Sequence, residues 1–430
     1  MVGGTKSPEE ALPRSRTIGI CFSLVLAGSV EPSLAASAPP FSALLREAEG
    51  VAPSLLESRA NVGAAQGRAD QASAFPNPTG GILFENLGSN NRAISGLTGI
   101  SPEQTTISLS QPIELGGKRG ARMAAGDAEL SAAQVRDQQT LAVFGYELAV
   151  AYAGAEAATA RVRLHEDAVK SASDDQRAAQ ALVDAGREAG IRAKQANAAF
   201  LSAQSDLENA RADAELAFAK LSILVAAPKP YSDVVPSLLP LADHLKVIPP
   251  TPPKTFLSVA VAEAQRNAAQ GRLEVERARA IPDINATLGV RRLNGDRATV
   301  VVAGLSVPIP IFDQNSGNIS AAGSEVAAAD ARLAAARADA ETGWTTAVAQ
   351  ARASVLRLSA AQSAAAAAEE AYGLTRTGYN AGKTSLLDLL TSRRALTDAR
   401  LRLLDAEVGR IGAEAALARL AGRVAFGDNP

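Results

Sequence analysis

Cysteine, histidine and aromatic residues are scarce in this sequence. It has one cysteine, two histidines and 4% aromatic residues among 430 positions. The side chains that bind zinc or copper ions and that form disulfides are therefore almost absent. The two histidines, His165 and His244, stand far apart, and no H-x-x-x-H, C-x-x-C or G-x-S-x-G motif occurs. We expect no metal centre, no cofactor and no enzymatic activity.

An excess of charge of either sign is missing as well. The formal net charge is −2, and the sequence has no long basic or acidic tail. Proteins that bind nucleic acid carry a basic face, so we do not predict a nucleic-acid partner. Alanine, by contrast, is abundant, and alanine favours long helices that pack at close range. Because few aromatic side chains are available to fill a thick globular core, we expect these helices to form a rod or a tube.

The N-terminus has the three regions of a secretory signal peptide. Two arginines precede an apolar run at residues 18–30, and small residues follow at 33–38. The run is too short for a helix that spans a bilayer, which needs about 20 residues. We therefore predict that residues 1–38 are a signal peptide and that the chain is exported. Because Ile20 precedes Cys21, where a lipoprotein signal has a small residue, we expect no lipid on that cysteine.

The two halves of the chain repeat the same order of elements. The segment SLSQPIELGGKRGAR has a strand-like start, a turn at Gly116 and Gly117, and a helical end, and GLSVPIPIFDQNSGN has the same order about 196 residues later. At that offset the Ala-Gly pair at 185–186 recurs at 381–382, each time inside a long helical pattern. This order predicts a duplicated unit.

A proline-rich segment separates the two halves. The predicted parts are a first repeat at 39–226 with a helical hairpin at about 117–226, a proline-rich linker at 227–254, a second repeat at 255–422 with a hairpin at about 313–421, and a C-terminal tail at 423–430.

Apolar residues in the helical segments recur at 3-4 spacing, as from Phe200 to Leu224. This spacing indicates coiled-coil packing. The helix before Gly378 extends over about residues 318–375, which at 1.5 Å per residue is on the order of 85 Å. A compact domain does not need a helix of this length, whereas a tubular or rod-like protein does.

Four segments alternate apolar and polar residues with the period of a β-strand. They lie at about residues 79–87, 104–113, 283–292 and 299–309. Each segment has the length and alternation of a transmembrane strand. Four strands cannot close a barrel, and an open sheet edge is not tolerated in lipid. If these strands enter a membrane, several copies must therefore share one barrel, and three copies would supply twelve strands. A soluble, half-buried sheet has the same alternation and stays an alternative. The face predicted to line a barrel lumen carries Ser108, Ser110, Asn285, Thr287 and Arg291.

Four segments give the chain a resemblance to the TolC-like outer-membrane efflux channels. They are FPNP (75–78), FEN (84–86), SLSQPIELGGKR (108–119) and YNAGKTSLLDLLTSRRAL (379–396). The string QPIELGGKR is similar to the heavy-metal branch, the outer-membrane components of cobalt-zinc-cadmium type systems. The implied fold is mainly α with a small β part. Each protomer would have long coiled-coil hairpins and four transmembrane strands, and a homotrimer would form a 12-stranded β-barrel on an α-helical barrel.

The same resemblance implies a location, partners and a function. The trimer would contact lipid in the outer membrane of a Gram-negative bacterium and extend into the periplasm, with an equatorial subdomain built from the linker and both termini. It would dock to a periplasmic membrane-fusion adaptor and an inner-membrane pump of the resistance-nodulation-division type, and conduct heavy-metal cations passively. Two alternatives remain: a duct of the same fold for organic solutes, drugs or type I protein secretion, and a secreted coiled-coil structural protein.

The resemblance also places a closed tip at the two Ala-Gly turns. Tyr379 matches a tyrosine that helps to hold the channel closed, and Asp388 matches the first of two carboxylates at a constriction. The position of the second carboxylate is Thr391 here, so a trimer would have a single ring of Asp388 carboxylates. The predicted tip and gate residues are Gly186, Gly190, Tyr379, Gly382, Lys383 and Asp388.

The string Gly382-Lys383-Thr384 also resembles the end of a phosphate-binding loop. The full motif, G-x-x-x-x-G-K-[ST], requires a glycine at position 377, which is Thr377. The string also follows a helical pattern, whereas a phosphate loop follows a strand. We therefore predict a hairpin turn, with Lys383 exposed toward an adaptor.

Overall fold

The computed structural model describes residues 36–86, 103–245, 252–293 and 297–427, which form a mainly helical protein with two small sheets. Most of the predicted signal peptide, residues 1–35, lies outside the described residues, and its last three residues form strand β1. The strands are β1 (Ala36–Ala38), β2 (Thr79–Glu85), β3 (Gln104–Ile113), β4 (Tyr231–Val234), β5 (Ile284–Leu293) and β6 (Ala298–Ser306). The α-helices are α1 (Phe41–Val51), α2 (Pro53–Ala72), α3 (Lys118–Asp184), α4 (Gly190–Leu224), α5 (Leu257–Arg279), α6 (Ser316–Asn380) and α7 (Leu386–Leu420).

The larger sheet has the strand order β2-β3-β5-β6, and all neighbouring strands are antiparallel. Among the described residues, β2 and β6 each have one unpaired edge. The four strands lie in the segments that the alternation predicts. Strand β6 ends at Ser306, three residues before the predicted end, because Pro308 and Pro310 have no N–H to donate to a strand ladder.

Helices α3 and α6 are very long, with 67 and 65 residues, or about 100 Å each at 1.5 Å per residue. Each begins directly after a residue with left-handed backbone, Gly117 at φ 70° and Asn315 at φ 59°. Alanine dominates their buried positions, because its small side chain lets neighbouring helices approach closely. No helix in the described ranges combines the length and the apolar character needed to cross a bilayer.

Helices α2 to α7 form two rows that share α3 and α6. In the first row, α3 packs against α2 and α5, and α5 packs against α6. In the second row, α3 packs against α4 and α7, and α7 packs against α6. Gly126, near the start of α3, lies against Ala69 of α2. Ala179, near the end of α3, packs in a cluster with Leu389 of α7, so the second row lies at the far end from the larger sheet.

The largest apolar core lies where three distant segments meet the middle of α3. Tyr152 of α3 is fully buried, and its ring packs edge-on against Phe41 of α1 with 5.7 Å between centroids. Its hydroxyl lies 2.8 Å from the carbonyl oxygen of Pro39 and 2.7 Å from that of Val235, and burial raises its pKa to about 12. The ring of Phe426 also packs against Phe41. The linker and both ends of the described chain therefore share one core.

A buried carboxylate fixes the linker to α3. Glu156 accepts hydrogen bonds from the backbone N–H groups of Ser237, Leu238 and Leu239 at 2.5 to 2.9 Å. These groups lie at the start of a short 3-10 helix, Leu239–Leu241, where no helical partner is available to them. The linker is therefore held in place by side-chain hydrogen bonds as well as by apolar packing.

Candidate channel wall and helical tip

One face of the larger sheet is apolar across its whole width. The register aligns Ile82, Ile107, Val290 and Val301 in one row over the four strands. All four side chains are exposed, Val301 by 73%. A continuous exposed apolar face of this kind marks contact with another protein or with lipid.

The opposite face carries the polar residues that were predicted to line a barrel. The strand register places five of them on this face: Ser108, Ser110, Asn285, Thr287 and Arg291. The hydroxyl groups of Thr287 and Ser110 are 3.1 Å apart across β5 and β3. Arg291 donates to the hydroxyl of Thr106 at 2.9 Å and pairs with Glu85 at 3.3 Å. Polar side chains on this face therefore bond to one another across the strands.

Gly116 and Gly117 form the predicted turn from β3 into α3. Their φ angles are 66° and 70°, and a Cβ atom on Gly116 would lie 2.5 Å from the side chain of Ile281. The next residue, Lys118, pairs with Asp283 at 2.7 Å. The turn therefore connects the start of α3 to the segment that leads into β5.

The two hairpin turns at the far end of the helices have the same backbone geometry. Gly186, after α3, has φ 67°, and Gly382, after α6, has φ 69°. In each turn the N–H of the residue after the glycine bonds to the carbonyl five residues earlier, at 2.8 to 2.9 Å. This Schellman arrangement ends a helix with a left-handed residue, a conformation that glycine adopts without a steric cost.

Packing inside the second turn explains its resemblance to a phosphate loop. Gly378 lies in the last turn of α6, where an added Cβ atom would be 2.8 Å from the methyl group of Thr384. The hydroxyl of Thr384 donates to the carbonyl of Thr375 at 3.0 Å. Gly378 and Thr384, the threonine of the GKT string, therefore pack together to close a helical hairpin, and the element before this string is α6.

A capping box holds Asp388 at the start of α7. Its carboxylate accepts the backbone N–H of Ser385 at 3.1 Å and the hydroxyl of Ser385 at 2.7 Å. The N–H of Asp388 bonds back to the Ser385 hydroxyl at 3.2 Å. These hydrogen bonds, first from the hydroxyl and then from the amide, lower the pKa of the exposed Asp388 carboxyl. The Ser-x-x-Asp spacing is the sequence signal for this cap.

Tyr379 packs between the two hairpins. Its half-buried ring contacts a cluster that consists of Ala179, Ala196, Leu386 and Leu389. Burial raises the pKa of its phenol, and the nearby carboxylates of Asp175 and Glu188 act in the same direction. The uncharged ring of Tyr379, on α6 of the second hairpin, therefore connects this hairpin to α3 and α4 of the first.

Comparison with known proteins identifies the family. The profile described as outer membrane efflux protein matches residues 44–227 and 257–423. The chain belongs to this family. It is therefore an efflux channel of the outer membrane, which confirms the predicted family, function class and location.

The relatives of this efflux protein include heavy-metal resistance proteins. It is 42% identical over 342 residues to the nickel and cobalt resistance protein CnrC of Cupriavidus metallidurans, with 79% of each chain covered. It is 42% identical over 340 residues to the nickel-cobalt-cadmium resistance protein NccC of Alcaligenes xylosoxydans xylosoxydans, with 78% of this chain and 75% of NccC covered. In fold it is similar to CusC, with a TM-score of 0.75, 18% identity and coverage of 91% of this chain and 96% of CusC.

An ion pair that sequence reasoning missed joins the two hairpins of this efflux protein near the tip. Arg393 of α7 pairs with Asp175 of α3, and the side chains are only 12% and 17% exposed. Burial raises the pKa of the Asp175 carboxyl, although the Arg393 guanidinium opposes the shift. The two residues are 218 positions apart, and no local pattern connects them.

Gly190 and Lys383 lie at the surface of the tip. Gly190 is the first residue of α4, and a Cβ atom there would meet no other element of the described chain within 4 Å, so no tertiary contact requires glycine. Lys383 is exposed, and within the described part of the chain its side chain has no hydrogen-bond or ion-pair partner. This leaves Lys383 available to another molecule.

Proposed function

We propose that three copies of this efflux protein form one duct, in which a 12-stranded β-barrel crosses the outer membrane and an α-helical tube extends into the periplasm. The observation that carries the proposal is the larger sheet, which is apolar on one face and, within the described part of the chain, unpaired at both edges. Lipid does not tolerate unpaired backbone N–H and C=O groups. If β6 of each copy pairs with β2 of the next, every edge is removed.

The number of helices in each row also supports an assembly of three copies. Each copy contributes four helices near the sheet, α2, α3, α5 and α6, and four near the tip, α4, α3, α7 and α6. Three copies would therefore give twelve helices at either level, matching the twelve strands. The polar face of the sheet and the concave sides of the helix rows would then line one continuous lumen.

We place the gate at the tip, where Gly186, Tyr379, Gly382 and Asp388 lie. The two hairpins of one copy meet there through the Tyr379 cluster and the Asp175–Arg393 pair. Opening would separate these contacts while the glycine turns stay folded. The exposed Asp388 carboxylates of three copies would form one ring, and a ring of carboxylates attracts cations.

The proposed cargo is heavy-metal cations, supplied by an inner-membrane pump of the resistance-nodulation-division type through a periplasmic adaptor. Two relatives that match more than three quarters of the chain are named for resistance to nickel, cobalt or cadmium. Within the described ranges no three His, Cys, Asp or Glu side chains come together as a metal site. The proposed role is passive conduction, and Lys383 is proposed to contact the adaptor.

Deletion of the gene tests the cargo. We expect the deletion strain to become sensitive to nickel, cobalt, zinc or cadmium, and we expect a plasmid copy of the gene to restore growth. The measurement is the growth yield over a concentration series of each metal, with copper and a panel of antibiotics as comparisons. Sensitivity to antibiotics without sensitivity to any metal would contradict the proposed cargo.

A further inference from the structure

A groove lies along one side of the helix row next to the sheet. Residues from all four helices, α2, α3, α5 and α6, line it, and it encloses roughly 630 Å³. Side chains of all four helices can enclose one groove only on the side toward which the row curves. The groove therefore lies on the concave side of the row. In the proposed duct this side faces the lumen, so the inference below rests on the proposed function.

The polar side chains of this groove form two layers. Helices α2 and α5 run toward the sheet and α3 and α6 run away from it, so the later residues of α2 and α5 are level with the earlier residues of α3 and α6. The layer nearer the sheet alternates in charge, and Arg272 pairs with Glu129 at 2.7 Å. Its members are Arg68, Glu129, Arg272 and Glu325.

The layer farther from the sheet contains hydrogen-bond donors and no carboxylate. Each helix contributes one member to it, and we call the four residues the donor ring: Asn61, Arg136, Gln265 and Arg332. Both guanidinium groups are exposed, and within the described part of the chain none of the four side chains has a hydrogen-bond or ion-pair partner. The carboxylates nearest in the groove, Glu129 and Glu325, are seven residues before Arg136 and Arg332, or about 10 Å along the helices.

We propose that the donor ring binds small multivalent anions with carboxylate or phosphate groups. A guanidinium group presents a planar fork of N–H donors that matches these groups, and the amides of Asn61 and Gln265 add neutral donors between the charges. In a trimer the ring would hold six arginines around the lumen. Metal cations would therefore pass this level together with anions, and the Asp388 ring at the tip would attract the cations.

The experiment uses the purified full-length protein in planar lipid bilayers. Citrate and inorganic phosphate are the probes, and the readouts are the reversal potential in a potassium chloride gradient and the reduction of current by each probe. We expect citrate to reduce the current at millimolar concentration. We expect the variant Arg136→Gln/Arg332→Gln to need at least about tenfold more citrate and to shift the reversal potential toward cation preference, since two charge-assisted contacts per copy are lost.

Arg337→Gln is the matched control. Arg337 is also exposed and lies on α6, five residues after Arg332, but it does not line the groove. We expect this variant to behave like the native protein, and Arg332→Gln alone to show part of the change. A stronger effect of citrate than of phosphate would identify carboxylates as the ligand class, and the reverse would identify phosphates.

Two results would overturn the donor ring and leave the duct intact. One is a conducting native channel on which neither probe has any effect. The other is an equal response of the double variant and the native protein. If the protein does not conduct at all, the proposed duct is refuted. Calorimetric titration of both probes into the detergent-solubilised protein then tests the donor ring separately. An absence of binding in that titration would refute the donor ring.

Discussion

Two side chains, those of Ser385 and Asp388, cap the start of α7 at the exposed tip of this efflux protein. The first N–H groups of an α-helix have no partner within the helix. In α7, the Ser385 hydroxyl accepts one of them, and the Asp388 carboxylate accepts the N–H of Ser385 in return. Both side chains are exposed, whereas Leu386 and Leu389 in the same turn are buried, so the cap adds exposed hydrogen bonds to the apolar packing of this turn.

We expect Ser385→Ala to loosen the first turn of α7. Loss of an N-cap side chain costs about 1 kcal/mol, which corresponds to a roughly fivefold larger open fraction of this turn and so to roughly fivefold faster hydrogen exchange. The measurement is hydrogen exchange of the backbone amides at residues 386–390. Ser392→Ala is the control, because the Ser392 hydroxyl bonds to the carbonyl of Leu389 within the helix and does not cap it. Equal exchange in both variants and the native protein would contradict a role of the cap.

At the residue scale the sequence is only partly informative. The Ser-x-x-Asp spacing at 385–388 is a local pattern, so the cap is predictable from it. Asp175 and Arg393 have no such pattern, because α3 and α7 meet only through packing of the whole row. The constriction role of Asp388 stays a prediction, since the residues that face the axis are determined by how three copies pack together.

At the scale of elements, the contact between α3 and α7 joins the two hairpins. Arg393→Met would leave the Asp175 carboxyl mostly buried without its cation, which weakens this contact. We expect the purified channel to spend more time open in bilayer recordings. Asp175→Asn/Arg393→Met should have a smaller effect, because no buried charge is left unpaired.

Arg394→Met is the control for this prediction. Arg394 is the next residue of α7, but its side chain is exposed. We expect the open time of the Arg394→Met channel to equal that of the native channel. If Arg393→Met and Arg394→Met give the same open time, the ion pair does not hold the hairpins together.

The positions of the main elements follow from local patterns in the sequence. The offset of 196 residues relates Gly186 to Gly382, which have the same left-handed backbone, and the ends of α4 and α7 keep the same offset. Period-two alternation located the four strands of the larger sheet. Strand β6 is shorter than its apolar pattern, because the prolines that follow it are apolar but cannot pair.

At the scale of the whole molecule, the two faces of the larger sheet should differ in their contact with water. Thr287 and Leu288 are adjacent in β5 and lie on opposite faces. In the proposed barrel Leu288 contacts lipid and Thr287 faces the lumen. Since the native sequence has one cysteine, Cys21, a single introduced cysteine can be followed with little background.

We expect Thr287→Cys to react with a water-soluble maleimide in reconstituted vesicles and Leu288→Cys to be protected. The measurement is the labelled fraction by mass spectrometry. In detergent-free denaturant both variants should label fully, which controls for the intrinsic reactivity of each cysteine. Equal labelling of both positions in vesicles would indicate a soluble sheet and contradict the barrel.

The two hairpins have matched dimensions, since α4 and α7 both contain 35 residues. In the proposed duct, matched hairpins would place both turns at the same depth in the periplasm. If one half of the gene gained a heptad, its turn would move about 10 Å past the other turn, and the contacts between the hairpins would lose their register. A relative that serves a wider periplasm must therefore gain insertions of equal length in both halves. The length of each hairpin is thus specified separately in the two halves of the sequence, and both lengths have to change together during evolution.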